Sequence, residues 1–342
     1  MAAHGTGRYD RAIEACEKAI RAEPDSYPGY GGLVAAYYFL DRFPEAESIL
    51  QRAAERKLEI ATFPVFQYTI ALLKGDQDQM KRAVALAKGK PGMEHLMAHA
   101  EALALARAGR LEAARLSSGR AVDLVLREGN YEAAASYRAA RAVWEAACGN
   151  AAEGKRNATA ALELSKARDV QYAAGFALGL AGDYSRSEAL AGDLEKRFPE
   201  DTFAKFSYAP VLRALTSMGR RKSADSVARL EIARQYELAV NGVNFHFYLG
   251  GLHSAYVRGE AFAADHRYSE AAAEFQKILD HRGIVGLDPT GALAHLQLGR
   301  VFALSGDKAR AKAAYETFLA LWKDADPTIP VLKNAKAEYA RL

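Results

Sequence analysis

The feature that most constrains this chain is a phrase that returns at a fixed interval. GRYDRAIEACEKAI starts at Gly7, DRFPEAESILQRAA at Asp41, GDQDQMKRAVALAK at Gly75 and GRLEAARLSSGRAV at Gly109, so successive starts step by 34 residues. Looser copies follow from Gly149, Gly182, Gly219, His266 and Gly306, giving nine. A period of this length marks a stack of like supersecondary units, each unable to bury its apolar face alone. A stack lengthens its core with every unit, so 342 residues need not divide into domains as a single-core chain would beyond ~250 to 300 residues.

Each phrase has a physical logic. The leading Gly, Asp or His ends one helix in the left-handed conformation, which glycine adopts without steric cost. Five residues on stands a small side chain, as in Ala12, Ala46, Ala114, Gly154, Ser187, Ala224, Ala271 and Ala311, with Met80 the exception. Apolar positions such as Leu50 and Ala53, or Phe275 and Ile278, carry on the same helical face. The preceding helices offer small residues in return, and Ala102, Gly175, Gly259 and Gly299 are expected opposite Ala114, Ser187, Ala271 and Ala311. Nine phrases in register resemble the tetratricopeptide consensus over about residues 7 to 323. The resemblance implies an all-α fold, an α-α superhelix (a tetratricopeptide solenoid) of about nine helix-turn-helix repeats with the first incomplete. The array is expected over residues 1–327 and a capping helix over 328–342, where Val331, Leu332, Ala335 and Tyr339 share one side of an amphipathic segment.

The spacing is not uniform. It stretches between Gly109 and Gly149, and further between Gly219 and His266, where a loop near 235–251 carries Phe245, Phe247 and Tyr248. A second inserted loop, HRGIVGLDPTG, spans 281–291. Insertions in solenoids fall on one face, often the binding face, although aromatic side chains in them can equally pack down over a step between repeats. Pro210 is expected to interrupt the first helix of the seventh unit. The chain starts in the loop before a second helix, so Ala12, Cys16 and Ala19 lack a first-helix partner. That bare edge suggests a piece of a longer protein, or self-association.

Most chemical functions are disfavoured. A composition of 50% hydrophobic and 26% charged residues is that of a folded chain, and a net charge of +4 with the two signs interspersed argues against nucleic acid as partner. No apolar stretch reaches the ~20 residues of a membrane span and no secretory leader is visible, so direct membrane insertion is not expected; either side of a membrane stays open. Cys16 and Cys148 read as core residues. Glycines sit at helix ends or on helix faces rather than in a phosphate-cradling loop, and carboxylates are scattered among lysines and arginines. His95 and His99 lie one turn apart but lack a third ligand. No catalytic residues, cofactor or metal are therefore assigned, and the Asn157 sequon falls within a helix.

In tetratricopeptide arrays the first helices line the concave surface. Counting back from each turn places Tyr38, Phe39, His99, Arg107, Tyr172, Phe176, Arg213, His253, Tyr256, Glu260 and Arg300 there. The lysines and asparagines with which the family clamps a terminal carboxylate are missing. An aromatic groove with isolated arginines suits a protein or peptide segment with apolar anchors and an acidic residue or two. The stretches Lys277–Gly283 (KILDHRG) and Leu321–Asp326 (LWKDAD) resemble the closing segment of bacterial eukaryotic-like serine/threonine protein kinases that carry such an array after the catalytic domain. That resemblance implies the scaffold or sensor tail of a signalling kinase, although the kinase's glycine-rich loop, catalytic-loop aspartate and DFG triplet are absent from this chain. The alternative is a repeat module of a regulator with another effector domain, such as a DNA-binding one. Either way the expectation is a non-catalytic protein-interaction scaffold.

Overall fold

A computed structural model describes residues 4–240 and 251–342. Helices account for its regular structure, and among the described residues there is no strand. They run α1 (Tyr9–Ala22), α2 (Tyr27–Phe39), α3 (Phe43–Glu55), α4 (Phe63–Lys74), α5 (Gln77–Ala87), α6 (Glu94–Arg107), α7 (Leu111–Arg127), α8 (Tyr131–Ala147), α9 (Ala151–Leu164), α10 (Arg168–Leu180) and α11 (Tyr184–Arg197). There follow α12 (Ala209–Gly219), α13 (Ser223–Leu230), α14 (His253–Ala264), α15 (Tyr268–Asp280), α16 (Arg282–Val285), α17 (Thr290–Leu304), α18 (Lys308–Leu321) and α19 (Pro330–Tyr339). Consecutive helices pack against one another in order, which makes an α-α superhelix that starts with α1 laid against α2.

The local reasons are readable. Asp76, Asn130, Asp183 and Asp307 each accept the backbone N–H three residues on and so cap α5, α8, α11 and α18. Gly75, Gly109, Gly149, Gly182 and Gly306 all have positive φ in the turns between paired helices, and Asp41 and His266 take the same left-handed shape with φ 59°. The seventh unit departs from the phrase. Gly219 ends α12 rather than forming the turn, and its missing side chain makes room for the Tyr184 ring, 2.2 Å from where a Cβ would stand; Arg221, with φ 58°, turns the chain instead. The small buried residue of that unit is therefore Ser226, fully buried, and not the exposed Ala224. Pro210 stands in the first turn of α12, preceded by a π-helical stretch, Ala204–Tyr208, so the interruption lies just before it.

The pairing of small residues also differs in detail. Gly259 and Gly299 receive the rings of Phe275 and Tyr315, one turn beyond Ala271 and Ala311, with 2.8 Å between a built Cβ and each ring. Likewise Gly179, not Gly175, faces Ser187, while Gly175 accommodates Leu212. Side chains on a helix lean toward its amino terminus, so the aromatic one turn later reaches the gap above each glycine.

The superhelix comes round onto its own beginning. A helix leaves its last carbonyls without partners, and here distant backbone supplies them. The Arg282 guanidinium donates to Leu73 O, Trp322 Nε1 to Arg107 O at 2.9 Å, Asp326 N to Gly109 O at 3.0 Å and Val331 N to Cys148 O at 3.3 Å. Asp41 accepts from the N–H groups of Arg282 and Gly283, at 3.2 and 2.6 Å. The turns that end α2, α4, α6 and α8 are thus each tied to residues between 282 and 331. At the amino-terminal edge the Tyr9 hydroxyl donates to Leu238 O, and Tyr9 and Ala12 are both 3% exposed, while Cys16 and Ala19 of the same face are half-buried. The loop expected near 235–251 falls mostly outside the described residues, as do Phe245, Phe247 and Tyr248. No helix among the described residues is long and apolar enough to cross a membrane.

Candidate functional site

The first helices carry the eleven candidate groove residues, and most of them are covered by the chain itself. Tyr38, His99, Tyr172, Phe176, His253 and Tyr256 are all buried, at 6% exposure or less. Phe39, Arg107, Arg213, Glu260 and Arg300 are half-buried.

Three neighbourhoods result. In the first, Tyr38 sits among Phe39, Phe43 and Phe66, with ring centroids 5.3 to 5.8 Å away. Over it lies the inserted segment 281–291. Gly283 approaches so closely that a Cβ would fall 1.9 Å from Tyr38 O, and Ile284, Val285 and Leu287 are buried. The Arg107 guanidinium packs on Gly291, its Nε is buried without a hydrogen-bond partner, and burial lowers its pKa. The aromatic groove of the first units therefore holds an apolar occupant already, supplied in cis.

The second neighbourhood joins Tyr172, Phe176 and His253. The Tyr172 hydroxyl meets His253 Nδ1 at 3.0 Å, and His253 Nε2 meets Asp288 Oδ2 at 2.9 Å. Thr290 donates its N–H and hydroxyl to the other oxygen of Asp288, and the Phe176 ring stacks on the imidazole at 4.3 Å. A tyrosine, a histidine and an aspartate in line have the parts of a proton relay. Both imidazole nitrogens are engaged, however, and Asp288 is fully buried. The hydrogen bonds with His253 and Thr290 hold its carboxyl below the usual range against the cost of burial, while burial pushes the Tyr172 hydroxyl well up. The arrangement locks α10, α14 and the start of α17 together.

The third gathers Tyr256, Glu260 and Arg300. Gln297 Nε2 donates to the Tyr256 hydroxyl at 3.0 Å and to Glu260 Oε1 at 2.9 Å. Burial raises the Glu260 carboxyl to about 7, with Arg300 and Tyr256 opposing. Arg300 itself holds Glu338 of α19 by two bonds of 2.9 and 3.0 Å, which fastens the terminal lid. His99 and Arg213 stand apart from all three. His99 stacks on Tyr137 at 4.1 Å, beside His95, whose Nδ1 meets the Tyr137 hydroxyl at 2.7 Å; Arg213 pairs with Glu188 and Glu195 of α11. Among the described residues no group of three or more His, Cys, Asp or Glu side chains is placed to hold a metal ion.

One buried network has no counterpart in the sequence reading. Arg258, fully buried, makes paired bonds of 2.8 and 2.6 Å to Glu274 and another of 2.6 Å to Glu237, which also takes Lys277 Nζ. The groups come from α14, α15 and residue 237, and helical periodicity does not flag an arginine sixteen positions before its glutamate. Asp288 was detectable in principle, since Asp-Pro-Thr before a helix is a capping pattern.

Residues 3–59 match the tetratricopeptide repeat model. The fold is a tetratricopeptide-type solenoid. Among curated proteins no sequence matches. Solved structures similar to it include a tetratricopeptide repeat protein from Parabacteroides merdae, 12% identical over 81% of this chain and 98% of that one, with a TM-score of 0.44. Yeast Tom70 is 14% identical over 99% of this chain and 87% of its own, with a TM-score of 0.43. The tetratricopeptide domain of P58(IPK) is 16% identical over 98% and 94%, with a TM-score of 0.27.

Proposed function

We propose that this chain is a non-catalytic scaffold that binds other proteins. The observation that carries the reading is the solenoid itself: among the described residues eight helix pairs stacked in order, led by α1, expose a long continuous surface. The relay-like line of Tyr172, His253 and Asp288 is buried, with both imidazole nitrogens already engaged. The finer reading, a scaffold tail of a bacterial serine/threonine kinase, is supported by the likeness of residues 277–283 and 321–326 to such tails.

The groove candidates keep a role in this proposal on one condition. A segment entering beside Tyr38 and Arg107 must displace residues 281–291, which already fill that space with Ile284, Val285 and Leu287. Binding through Tyr172, Tyr256 or Arg300 likewise requires the interior to open, whereas the outer surfaces are available without rearrangement. Photo-crosslinking from benzoylphenylalanine placed at exposed positions, followed by mass spectrometry, tests the scaffold reading. Discrete protein adducts at defined positions are expected; a chain that yields none from cells expressing its natural gene overturns it.

A further inference from the structure

The inserted segment 281–291 sits on α2 as a bound peptide would. The interval from His266 to Gly306 is 40 residues, six longer than the 34-residue repeat, and α15 packs directly against α17, so the stack runs on without the insertion. Its own short helix, α16, lies on α2 instead. The contacts that hold it there follow the order of its residues. Two successive N–H groups, of Arg282 and Gly283, donate to the two carboxylate oxygens of Asp41 at 3.2 and 2.6 Å. The exposed Arg282 guanidinium donates to Leu73 O near the end of α4 and lies 5.8 Å from the Phe43 ring. Gly283 passes so close to Tyr38 O that a Cβ has no room, and Ile284 and Val285 are buried beyond it. The site thus receives a cation, a glycine and two branched apolar residues in that order.

One group beneath the segment is left over. Arg107 packs on Gly291 with its Nε buried and unbonded, and among the described residues no carboxylate pairs with it. The one acid of the segment, Asp288, is held by His253 and by the N–H and hydroxyl of Thr290. A segment of the same pattern that also brings a carboxylate to Arg107 therefore repeats the contacts of the resident and adds a charge-assisted one. That difference matters because a tethered occupant acts at an effective concentration of about millimolar, so it keeps the site against a competitor that merely equals it.

We propose that residues 281–287 are a resident pseudo-ligand covering a peptide site on α2, and that the partner of this site is a protein segment with Arg-Gly, two β-branched apolar residues and an acid after them. Binding of the partner lifts residues 281–287 away, while Asp288, pinned by His253 and Thr290, keeps α17 in place. The proposal rests on the scaffold reading and narrows it to one site and one partner chemistry.

The test is a fluorescence-anisotropy titration, carried to about millimolar, with a labelled peptide that has the sequence of residues 281–287 followed by two glutamates. Two variants weaken the resident: Gly283→Ala, which removes its fit over Tyr38 O, and Arg282→Glu, a change at an exposed side chain that leaves the stack untouched. Thermal melts show that each is folded. A folded weakened variant is expected to bind the peptide at least about tenfold more tightly than the parent, because a larger fraction of it has the site open. Adding Asp41→Gly, which removes both acceptors yet suits the left-handed φ of 59° there, should abolish that gain. A peptide with alanine for its glycine should not bind, and one with glutamines for its glutamates should bind more weakly. Equal binding by the parent and the weakened variants overturns the inference, as does no saturable binding by a folded weakened variant. So does binding indifferent to Asp41→Gly or to either peptide change, and so does unfolding of both weakened variants, which would make the segment part of the core. In any of those cases crosslinked protein adducts elsewhere on the chain leave the scaffold reading standing, and only their absence removes both.

Discussion

Replacing Gly283 by alanine puts the closure of the superhelix to a direct test. The added methyl would lie 1.9 Å from Tyr38 O and 2.9 Å from its carbonyl carbon, and both are backbone atoms that no rotamer change can move aside. Reaching an ordinary contact of about 3.4 Å requires segment 281–286 to retreat by roughly 1.5 Å, far beyond what a packed interior absorbs without loss. That retreat breaks the two bonds to Asp41, at 3.2 and 2.6 Å, and loosens Ile284 and Val285 from α2. Hydrogen bonds to a charged group contribute about 1.5 to 3 kcal/mol each, less where water can substitute. A destabilisation of about 3 kcal/mol at this contact follows. Because repeat arrays can open in parts, the assay should be local: hydrogen exchange of residues 36–41 and 281–291, with a thermal melt beside it. The expected result is faster exchange in both segments, by about a hundredfold at that free energy. Gly31→Ala is the control, on α2 with Tyr38 and with nothing within 4 Å of its Cβ, and should be neutral or slightly stabilising. Unchanged protection in Gly283→Ala, or equal behaviour of the two variants, would refute the reasoning.

Four further outcomes follow from the same geometry. Glu260→Gln keeps an acceptor for Gln297 and removes a titration: with the folded pKa raised from 4.5 to about 7, the group's contribution is full below pH 4.5 and is lost as pH rises through 7, by at most about 3 kcal/mol. The variant should therefore melt with the parent near pH 5 and above it at pH 8, and a gap that does not grow with pH counts against the assignment. Arg258→Met leaves the buried Glu237 and Glu274 with only Lys277 and Arg234 as partners and should cost about 3 kcal/mol by chemical denaturation, the low end for breaking a buried ion pair. Asp326→Ala removes the acceptor for Glu112 N at 2.8 Å, with an expected loss of about 1 kcal/mol and faster exchange confined to the start of α7. Sedimentation over a wide concentration range should show a single species, since Tyr9 and Ala12 are covered in cis; a dimer abolished by Tyr9→Ser would make the amino-terminal edge an interface after all.

The candidate site was only partly legible in the sequence. Counting back from the turn residues finds the first-helix positions, because helical periodicity is local and each unit repeats it. The count cannot say whether such a position faces a vacant groove. Tyr38 and Arg107 satisfy the pattern yet are covered by a segment more than 170 residues away, and His253, which bonds Tyr172 directly, is held on its other side by Asp288, in a loop that the repeat does not contain. The seventh unit misled for a related reason: Gly219 fits the turn position, but its glycine is needed for the approach of Tyr184, and Arg221 turns the chain.

By itself the sequence determined the period, the helix pairs and the lid, since these depend on spacings of a few residues: a small side chain five after the turn, an apolar residue each turn, a glycine or aspartate at helix ends. The tertiary structure alone decided that the stack closes on itself. Closure depends on the sum of small rotations between neighbouring units, and only that sum brings Gly283 against Tyr38, Trp322 against Arg107 and Val331 against Cys148, where the open carbonyls of one part of the chain meet the N–H groups of another.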